Sequence, residues 1–348
     1  MSTFVYISNA EDGEVAIYRL SNAGDLVPGA RVKVAAQVMP IAVSPDRRRL
    51  YAAVRSKPFS VHVFGIDPAS GALTPHSVSP LAESFPYLSL DRTGRYLFGA
   101  SYGGHVVSVN EVGGDGRVAA GPRQVIPVGR NAHAILADRA NRFVFVPCLG
   151  TDQIFPFSFE AGTLRPGEPV QMKAGTGPRH LAFSGDNRFL YVLSELLGSV
   201  TTFSLNEGLL TEISTTPMVT SLRPGAPRGP DAPPRERDKD IWAADIHLTP
   251  NGRFLYISER TSSTVCAFKV DLASGKLAWL GATPTEKQPR GFAIDPSGCF
   301  LVSTGEKSTT VSVHAINGDG SLGTAKPFPG GKGGNWVEIV GLAPLREK

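Results

Sequence analysis

Three basic side chains stand at matching places along the chain and could together bind an anion. Arg179 follows a Gly/Pro-rich turn in residues 175–183 (GTGPRHLAF), and Arg290 does the same in residues 288–292 (QPRGF). His133 occupies the corresponding place one repeat before Arg179. Guanidinium groups are forked donors that suit carboxylates and phosphates, and an imidazole can accept a proton near neutral pH. These residue types predict one site for a small anion with acid–base chemistry.

A repeated motif must position these side chains. A polar turn followed by a β-rich segment occurs six times, as RRLY (48–51), RYLF (95–98), RFVF (142–145), RFLY (188–191), RFLY (253–256) and CFLV (299–302). Counted from Leu50, the spacings are 47, 47, 46, 65 and 46 residues. A hairpin glycine recurs seven times, at Gly24, Gly71, Gly116, Gly162, Gly208, Gly275 and Gly320. This periodicity indicates a repeat architecture.

Each repeat is expected to form four short antiparallel strands, A to D, joined by tight turns. No segment keeps a helical apolar period, and four-stranded units of about 45 residues are typical of propeller blades. We therefore expect an all-β, seven-bladed propeller that forms a single domain over residues 1–348. Strands B to D of one blade come from residues 4–7, 14–21 and a segment after Asp25, and residues 335–340 supply its strand A, which closes the ring.

Propeller geometry converts sequence offsets into positions at one face. The residue eleven before each anchor begins strand A, and these residues are Met39, Pro86, His133, Arg179, Ala244 and Arg290. Five residues after an anchor, at the end of strand B, stands Glu195; Glu306 holds the same offset, which weakens Glu195 as an isolated signal. We expect His133, Arg179, Arg290 and Glu195 to meet at one channel mouth. His180 and His247 lie deeper along strand A, where structural roles are expected.

The extra residues in the longest spacing form an insert at 221–240, rich in Pro, Arg and Asp. Proline donates no ladder hydrogen bond, so this segment is expected to be a loop between strands D and A. That connection falls on the same face as the predicted site. The simplest interpretation is a solvated loop, and the alternative is a lid over the site.

Composition excludes several classes of protein. Hydrophobic residues make up 41% and charged residues 19%, without an apolar run long enough to span a membrane. Three well-separated cysteines predict no disulfide framework and favour a reducing, cytoplasmic location. The formal charge of +4 permits an anionic ligand but does not indicate nucleic acid. No metal-binding spacing, nucleotide-binding loop or Gly-x-Ser-x-Gly elbow is present, so no metal, cofactor or activated serine is predicted.

Several of these motifs together resemble the seven-bladed β-propeller lactonase family, and within it the bacterial 6-phosphogluconolactonase branch. The motifs are GPRH (177–180), SEL (194–196), WAADIHLTP (242–250), QPRGF (288–292) and NWV (335–337). The fold is also similar to that of fungal carboxy-muconate lactonising enzymes. Their pattern of one His, two Arg and one Glu falls here on His133, Arg179, Arg290 and Glu195. Two features depart from the family pattern. The insert 221–240 is longer than usual, and Gly334 stands where a proline is usual before the last tryptophan.

The resemblance implies hydrolysis of 6-phospho-D-glucono-1,5-lactone to 6-phosphogluconate, a step of the pentose phosphate pathway. It implies catalytic roles for His133, Glu195 and Arg179, and substrate binding by Arg290, Arg179, His180 and Trp336. Either His133 or Glu195 could be the general base. Either Arg179 or Arg290 could hold the phosphate, and the other would stabilise the oxyanion.

Two other functions remain open from the sequence. One is a lactonising isomerase of a carboxylated muconate, which would use the same four residues. The other is a non-catalytic interaction propeller, since fold does not fix function; the chain has no Trp-Asp dipeptide of the kind that WD40 blades carry. The expected partner is a phosphorylated sugar lactone, with no nucleic acid, membrane or obligatory protein partner.

Overall fold

The computed structural model describes residues 2–227, 234–236 and 238–343, in which every regular element is a β-strand. The strands form seven antiparallel sheets of four strands, one of which carries a fifth short strand. The predicted seven-bladed propeller is therefore confirmed. No helix in the described ranges could cross a membrane.

The blades follow one another in chain order. Blade 1 takes β1 (Ser2–Asn9), β2 (Glu14–Leu20) and β3 (Leu26–Lys33). Blade 2 contains β4 (Val38–Val43), β5 (Arg49–Val54), β6 (Ser60–Ile66) and β7 (Leu73–Pro80). Blade 3 contains β8 (Tyr87–Leu90), β9 (Tyr96–Ser101), β10 (Val106–Glu111) and β11 (Gln124–Pro127). Blade 4 contains β12 (Leu136–Ala137), β13 (Phe143–Cys148), β14 (Gln153–Glu160), β15 (Thr163–Pro166) and β16 (Val170–Gln171).

The second half of the ring repeats this order. Blade 5 contains β17 (Pro178–Phe183), β18 (Phe189–Ser194), β19 (Ser199–Asn206) and β20 (Leu209–Pro217). Blade 6 contains β21 (Ala243–Leu248), β22 (Phe254–Glu259), β23 (Thr264–Val270) and β24 (Leu277–Pro284). Blade 7 contains β25 (Pro289–Ile294), β26 (Phe300–Gly305), β27 (Thr310–Ala315) and β28 (Lys326–Pro329). The last strand, β29 (Gly334–Leu342), belongs to blade 1.

The ring closes by pairing the two ends of the chain. β29 is the innermost strand of blade 1 and runs antiparallel to β1, with Phe4 opposite Val340 and Ile7 opposite Val337. It also contacts the innermost strands of the two neighbouring blades, β25 and β4. The innermost strands therefore surround a central channel, and blade 1 is built from both ends of the chain as the sequence predicted.

The polar turn before each anchor fixes where the second strand of a blade begins. In blade 3, the Asp91 carboxylate accepts hydrogen bonds from the backbone N–H groups of Arg95 and Tyr96, at 2.8 and 2.9 Å. Asp138 and Asp295 make the same contacts in blades 4 and 7. The side chain satisfies donors that the turn would otherwise leave unpaired. The repeated register of the second strands follows from this turn.

The hydrophobic core is divided among the interfaces between neighbouring blades. Between blades 5 and 6, Tyr191 and Leu193 of one sheet pack with Ile246, Ile257 and Phe268 of the other, all nearly inaccessible to solvent. Burial of this kind contributes about 25 cal/mol per Å² of apolar surface. Each blade is thus packed against its neighbours, and the channel mouth lies at one face of this packed ring.

Each hairpin glycine packs against the second strand of the preceding blade. A Cβ at any of the seven would overlap a side chain there, and the pairs are Gly24–Phe300, Gly71–Phe4, Gly116–Arg49, Gly162–Tyr96, Gly208–Phe143, Gly275–Phe189 and Gly320–Phe254. The pair Gly24–Phe300 joins blade 1 to blade 7, so the closing seam uses the same contact as every other seam. Each of these seven glycines therefore marks both a tight turn and a contact between two blades.

Replacing Gly320 with alanine is expected to lower the free energy of unfolding by about 1–3 kcal/mol. Gly320 has φ of +89°, which an L-residue adopts with strain, and the new methyl group would collide with the Phe254 ring. Gly318, in the same hairpin, has no atom within 4 Å of a built Cβ. Gly318→Ala is the matched control and should change stability little. Urea unfolding of both variants measures the difference, and equal effects would contradict the packing role.

Candidate functional site

The first strands of several blades carry a β-bulge where the predicted site residues stand. On β17, Pro178 pairs with Ser194 and Leu181 pairs with Val192, so Arg179 and His180 together oppose the single residue Leu193. A bulge breaks the alternation of side chains and re-aims the inserted residues. It allows two consecutive polar side chains to leave the blade and face the middle of the ring.

The same irregularity recurs in neighbouring blades. On β21 it falls between Ala243 and Ile246 and includes Asp245; on β25 it consists of Arg290. Bulges concentrate next to active sites because they redirect side chains without changing the fold. This feature places basic and acidic groups from different blades near the start of the innermost strands.

A cavity of about 200 Å³ opens at the mouth where the innermost strands begin. Eight residues from six blades line it: Arg55, Pro86, Tyr102, His133, Glu195, Trp242, Arg260 and Arg290. The structure thus brings together His133, Glu195 and Arg290, three of the residues that the sequence selected. All of them except Trp242 stand either eleven residues before or five residues after a repeat anchor. We call this cavity the mouth pocket.

Sequence reasoning missed four residues of the mouth pocket. Arg55, Tyr102 and Arg260 each stand five residues after an anchor, the same offset as Glu195. Applying that offset to every blade would have found all three. Trp242 precedes β21 and had no such signal, although it belongs to the motif WAADIHLTP.

Arg179 lies beneath the mouth pocket and does not line it. Its side chain is fully buried; Nε donates to Glu195 Oε2 at 3.0 Å, and Nη1 donates to the Ala244 carbonyl. Nη2 has no hydrogen-bond partner among the described residues. Burial, and then the charge of Arg290, lowers the pKa of Arg179 to about 10, so it remains a cation at neutral pH. Arg179 therefore reaches the pocket wall only by its contact with Glu195.

Glu195 is held between two buried guanidinium groups. Oε2 accepts from Arg179 Nε and from Arg260 Nη2, both at 3.0 Å, and the side chain is 5% exposed. Arg260 also donates to the carbonyls of Trp242 and Ala243. Charge-assisted hydrogen bonds of this kind are the strong ones in proteins. They fix the Glu195 carboxylate at one edge of the mouth pocket.

His133 is a buried, neutral imidazole in the pocket wall. Burial, and then the charges of guanidinium groups, first that of Arg179, hold its pKa well below the ordinary value. Its Nδ1 has no hydrogen-bond partner among the described residues. A neutral imidazole with an unengaged nitrogen can accept a proton or a hydrogen bond from a bound molecule.

The charges around the mouth pocket favour an anion. Four guanidinium groups (Arg55, Arg179, Arg260 and Arg290) face two carboxylates, Glu195 and Glu306. Arg290 lies 3.6 Å from Glu306, whose pKa is lowered by Arg290 and Arg260 although burial opposes this. The group therefore carries two positive charges in excess. Such an excess in a concave, partly desolvated site attracts small anions.

Arg55 differs from the other three guanidinium groups because it is not in direct contact with a carboxylate of the described residues. It donates to Ser84 Oγ at 3.0 Å and forms no ion pair within the described ranges. Burial, and then the neighbouring charge of Arg290, lowers its pKa to about 10. Two adjacent cations with one carboxylate between them would be stabilised by a bound phosphate.

A second, larger cavity of about 370 Å³ lies where the innermost strands end, at the opposite side of the ring. It is lined by Tyr87, His180, Asp245, His247, Trp336 and Glu338, among others. The structure places His180 and Trp336 here and does not bring them to the mouth pocket. The bulge turns both Arg179 and His180 into the channel, where Arg179 Nη1 lies 3.1 Å from His180 Nε2, and the His180 ring lines this second cavity. Within the described residues no group of three His, Cys, Asp or Glu is arranged to hold a metal.

The described parts of the insert lie beside the mouth pocket; residues 228–233 and 237 of the insert are outside the described residues. Arg223 pairs with Asp240 at 2.7 Å, and the Gly225 N–H donates to the Leu196 carbonyl at 2.8 Å. Arg235 stacks on the Trp242 ring at 3.2 Å, and Arg260 contacts the same ring at 3.6 Å. Both ends of the insert are thus fixed near Glu195 and Trp242.

The fold and the site define a seven-bladed propeller with a basic cavity at the mouth of its channel, and a family match makes this class specific. The family described as "Lactonase, 7-bladed beta-propeller" matches residues 3–339. The chain therefore belongs to the seven-bladed β-propeller lactonase family.

Individual relatives are similar over nearly the whole length. The chain is 39% identical to 6-phosphogluconolactonase of Serratia proteamaculans over 346 residues, covering 98% of this chain and 99% of that one. It is 38% identical to 6-phosphogluconolactonase of Pectobacterium carotovorum, covering 98% and 100%. Among solved structures, the Pseudomonas aeruginosa periplasmic gluconolactonase PpgL superposes with a TM-score of 0.87 at 26% identity, covering 99% and 100%.

Proposed function

We propose that the protein hydrolyses 6-phospho-D-glucono-1,5-lactone to 6-phosphogluconate. The observation that carries the proposal is the mouth pocket, where a neutral imidazole stands among guanidinium groups in excess of carboxylates and its Nδ1 has no hydrogen-bond partner among the described residues. The names of the 37–39% identical relatives support the same substrate. Phosphate, lactone carbonyl and water then have chemically matched neighbours in one cavity.

The substrate's phosphate is held by Arg55 and Arg290. Arg179 and Arg260 are already paired with Glu195, whereas Arg55 has no ion pair within the described residues and Arg290 meets Glu306 only at 3.6 Å. A phosphate dianion between Arg55 and Arg290 would offset their mutual repulsion. This assigns phosphate binding to Arg290 and to a residue, Arg55, that the sequence did not select.

His133 is the general base. The imidazole takes a proton as water adds to the lactone carbonyl carbon, and the carbonyl oxygen becomes an oxyanion. Arg260, whose guanidinium lines the pocket beside Glu195, stabilises that oxyanion. When the ester bond breaks, the ring oxygen leaves with the proton from His133 and becomes a hydroxyl group, while the carbonyl re-forms as the carboxylic acid. Glu195 and Arg179 keep Arg260 in place, because Glu195 Oε2 is shared by both guanidinium groups.

Lactone hydrolysis measured against the spontaneous rate tests the substrate. We expect Arg55→Ala to raise KM for the phosphorylated lactone about ten-fold to a hundred-fold, the cost of losing a charge-assisted hydrogen bond. KM for unphosphorylated glucono-1,5-lactone should change little. Arg165→Ala, which removes an exposed Arg on β15 paired with Glu160, is the matched control and should change neither constant.

The other outcomes separate the alternatives. Equal effects of Arg55→Ala on both lactones would remove Arg55 from the phosphate site. A wild-type protein that turns over no lactone, phosphorylated or not, would refute the proposed function and return the lactonising isomerase and the interaction module to consideration.

The proposal also covers the metabolic pathway, the cellular compartment and the domain organisation. The product belongs to the pentose phosphate pathway, and Cys148, Cys266 and Cys299 are all free thiols, which suits the cytoplasm. We propose that residues 1–348 form one domain, with the insert 221–240 on the face of the mouth pocket. Cell fractionation tests the compartment; recovery with periplasmic markers would contradict it.

A further inference from the structure

A chain of hydrogen bonds runs from Glu195 to the opposite side of the channel. Arg179 bridges Glu195 and His180: its Nε donates to the carboxylate, and its Nη1 lies 3.1 Å from His180 Nε2. His180 Nδ1 lies 2.8 Å from Asp245 Oδ1. Asp245 is therefore three contacts away from Glu195, with Arg179 and His180 between them, although it stands on a different blade and does not line the mouth pocket.

The chemistry of the partners fixes the tautomer of His180. Burial, and then the charge of Arg179, lowers its pKa to about 3, so the ring is neutral and carries one proton. A guanidinium can only donate, and a carboxylate can only accept. His180 must therefore carry its proton on Nδ1, facing Asp245, and accept from Arg179 at Nε2. In the other tautomer two N–H groups would face each other where Arg179 and His180 meet.

The Asp245 carboxylate is itself held in place. Oδ1 accepts from the Ile246 N–H at 3.0 Å, and Oδ2 accepts from the Phe292 N–H at 3.3 Å. Oδ2 also lies 3.1 Å from His247 Nε2, on the side away from His180. Although burial opposes it, His247 and His180 hold the pKa of Asp245 well below its usual range, so the group is ionised. An ionised, oriented acceptor at this point selects one state of His180.

We propose that Asp245 is a positioning residue for the reaction: it holds His180 as the Nδ1–H tautomer, so that Arg179 stays aligned on Glu195 and, through Glu195, on Arg260. This inference rests on the proposed function only in its kinetic part, because the tautomer of His180 is a property of the free protein. It gives the acidic residue of the motif WAADIHLTP a role at a distance from the substrate.

The tautomer can be read directly. The ¹⁵N chemical shifts of imidazole nitrogens distinguish a protonated from an unprotonated nitrogen, and His180→Gln identifies the His180 signals by their disappearance. We expect the wild-type protein at neutral pH to have protonated Nδ1 and unprotonated Nε2 at His180. The opposite tautomer, or a doubly protonated ring, would overturn the proposal even if no Asp245 variant folds.

A double-mutant cycle tests the coupling to catalysis. Asp245→Ala should lower kcat about ten-fold, within the range of coupling between residues of one network, and leave KM nearly unchanged. In His180→Gln, the side-chain amide can turn its oxygen toward Arg179 without help from Asp245, so adding Asp245→Ala should cost little more. Asp186→Ala, which removes a half-exposed carboxylate paired with Arg188 and outside both cavities, is the matched control and should keep kcat within about two-fold.

The remaining outcomes are decisive. Equal losses from Asp245→Ala in the wild-type and His180→Gln backgrounds would mean that Asp245 does not act through His180, and would refute the proposal. A loss confined to KM would refute it as well. A wild-type protein with no lactone turnover refutes the proposed function instead, and the nitrogen shifts then still decide whether Asp245 sets the tautomer.

Discussion

His133→Asn is expected to lower kcat for the phosphorylated lactone by about a hundred-fold to ten-thousand-fold, the usual contribution of a positioned general base. KM should change little, because the phosphate is assigned to Arg55 and Arg290. The expectation follows from three observations: His133 lines the mouth pocket, its ring is neutral, and its Nδ1 has no partner among the described residues. Initial rates corrected for spontaneous hydrolysis measure the effect.

A second histidine provides the control for this variant. His62 lies on β6, away from the mouth pocket, and His62→Asn should leave kcat within about two-fold of the wild type. If His133→Asn keeps the wild-type kcat, His133 is not the general base, and Glu195 is the remaining candidate. That outcome would leave the family, the fold and the phosphate site unchanged.

Glu195→Gln is expected to have the largest effect on stability, about 3–5 kcal/mol of unfolding free energy. The Arg179 and Arg260 side chains are 0% and 1% exposed, and Glu195 Oε2 is the carboxylate oxygen that both contact. Removing its charge leaves two buried guanidinium groups without an anion, and desolvated charges without partners are costly. The midpoint and slope of urea unfolding give the difference.

An exposed ion pair is the control for the effect of burial on the stability change. Arg142 and Glu207 form a contact at 2.7 Å with side chains that are 56% and 66% exposed. Glu207→Gln should therefore shift the midpoint of urea unfolding little, because solvent screens such pairs. If both Glu→Gln variants cost the same, the cluster around Glu195 is not the electrostatic support that this account requires.

Much of the fold could be predicted because each repeat contains the residues that form its own turns and start its own strands. A side chain such as Asp91 caps the turn before the second strand, and a glycine such as Gly320 both makes the next hairpin and packs against the preceding blade. Such signals recur at a constant spacing, so the number of blades and the closing strand follow from counting. The insert 221–240 interrupts the spacing without shifting the repeat that follows it.

The site was only partly accessible from the sequence. The offsets from the anchors identify His133, Glu195 and Arg290, and would have identified Arg55 and Arg260 had every blade been compared. The bulge at Arg179 and His180 could not be predicted, because it depends on how β17 pairs with β18. It turns both side chains into the channel, where Arg179 contacts Glu195 of the mouth pocket and His180 lines the opposite cavity. Trp336 lines the same cavity as His180. It stands on β29, and the pairing of β29 with β1 sets the side of the ring that its side chain faces.

The most direct test of the account is a crystal structure of the protein with 6-phosphogluconate bound. The phosphate is expected between Arg55 and Arg290, and the carboxylate within hydrogen-bond reach of His133 and Arg260, all in the mouth pocket. Product bound in the opposite cavity beside His180 and Trp336, with the mouth pocket empty, would contradict it.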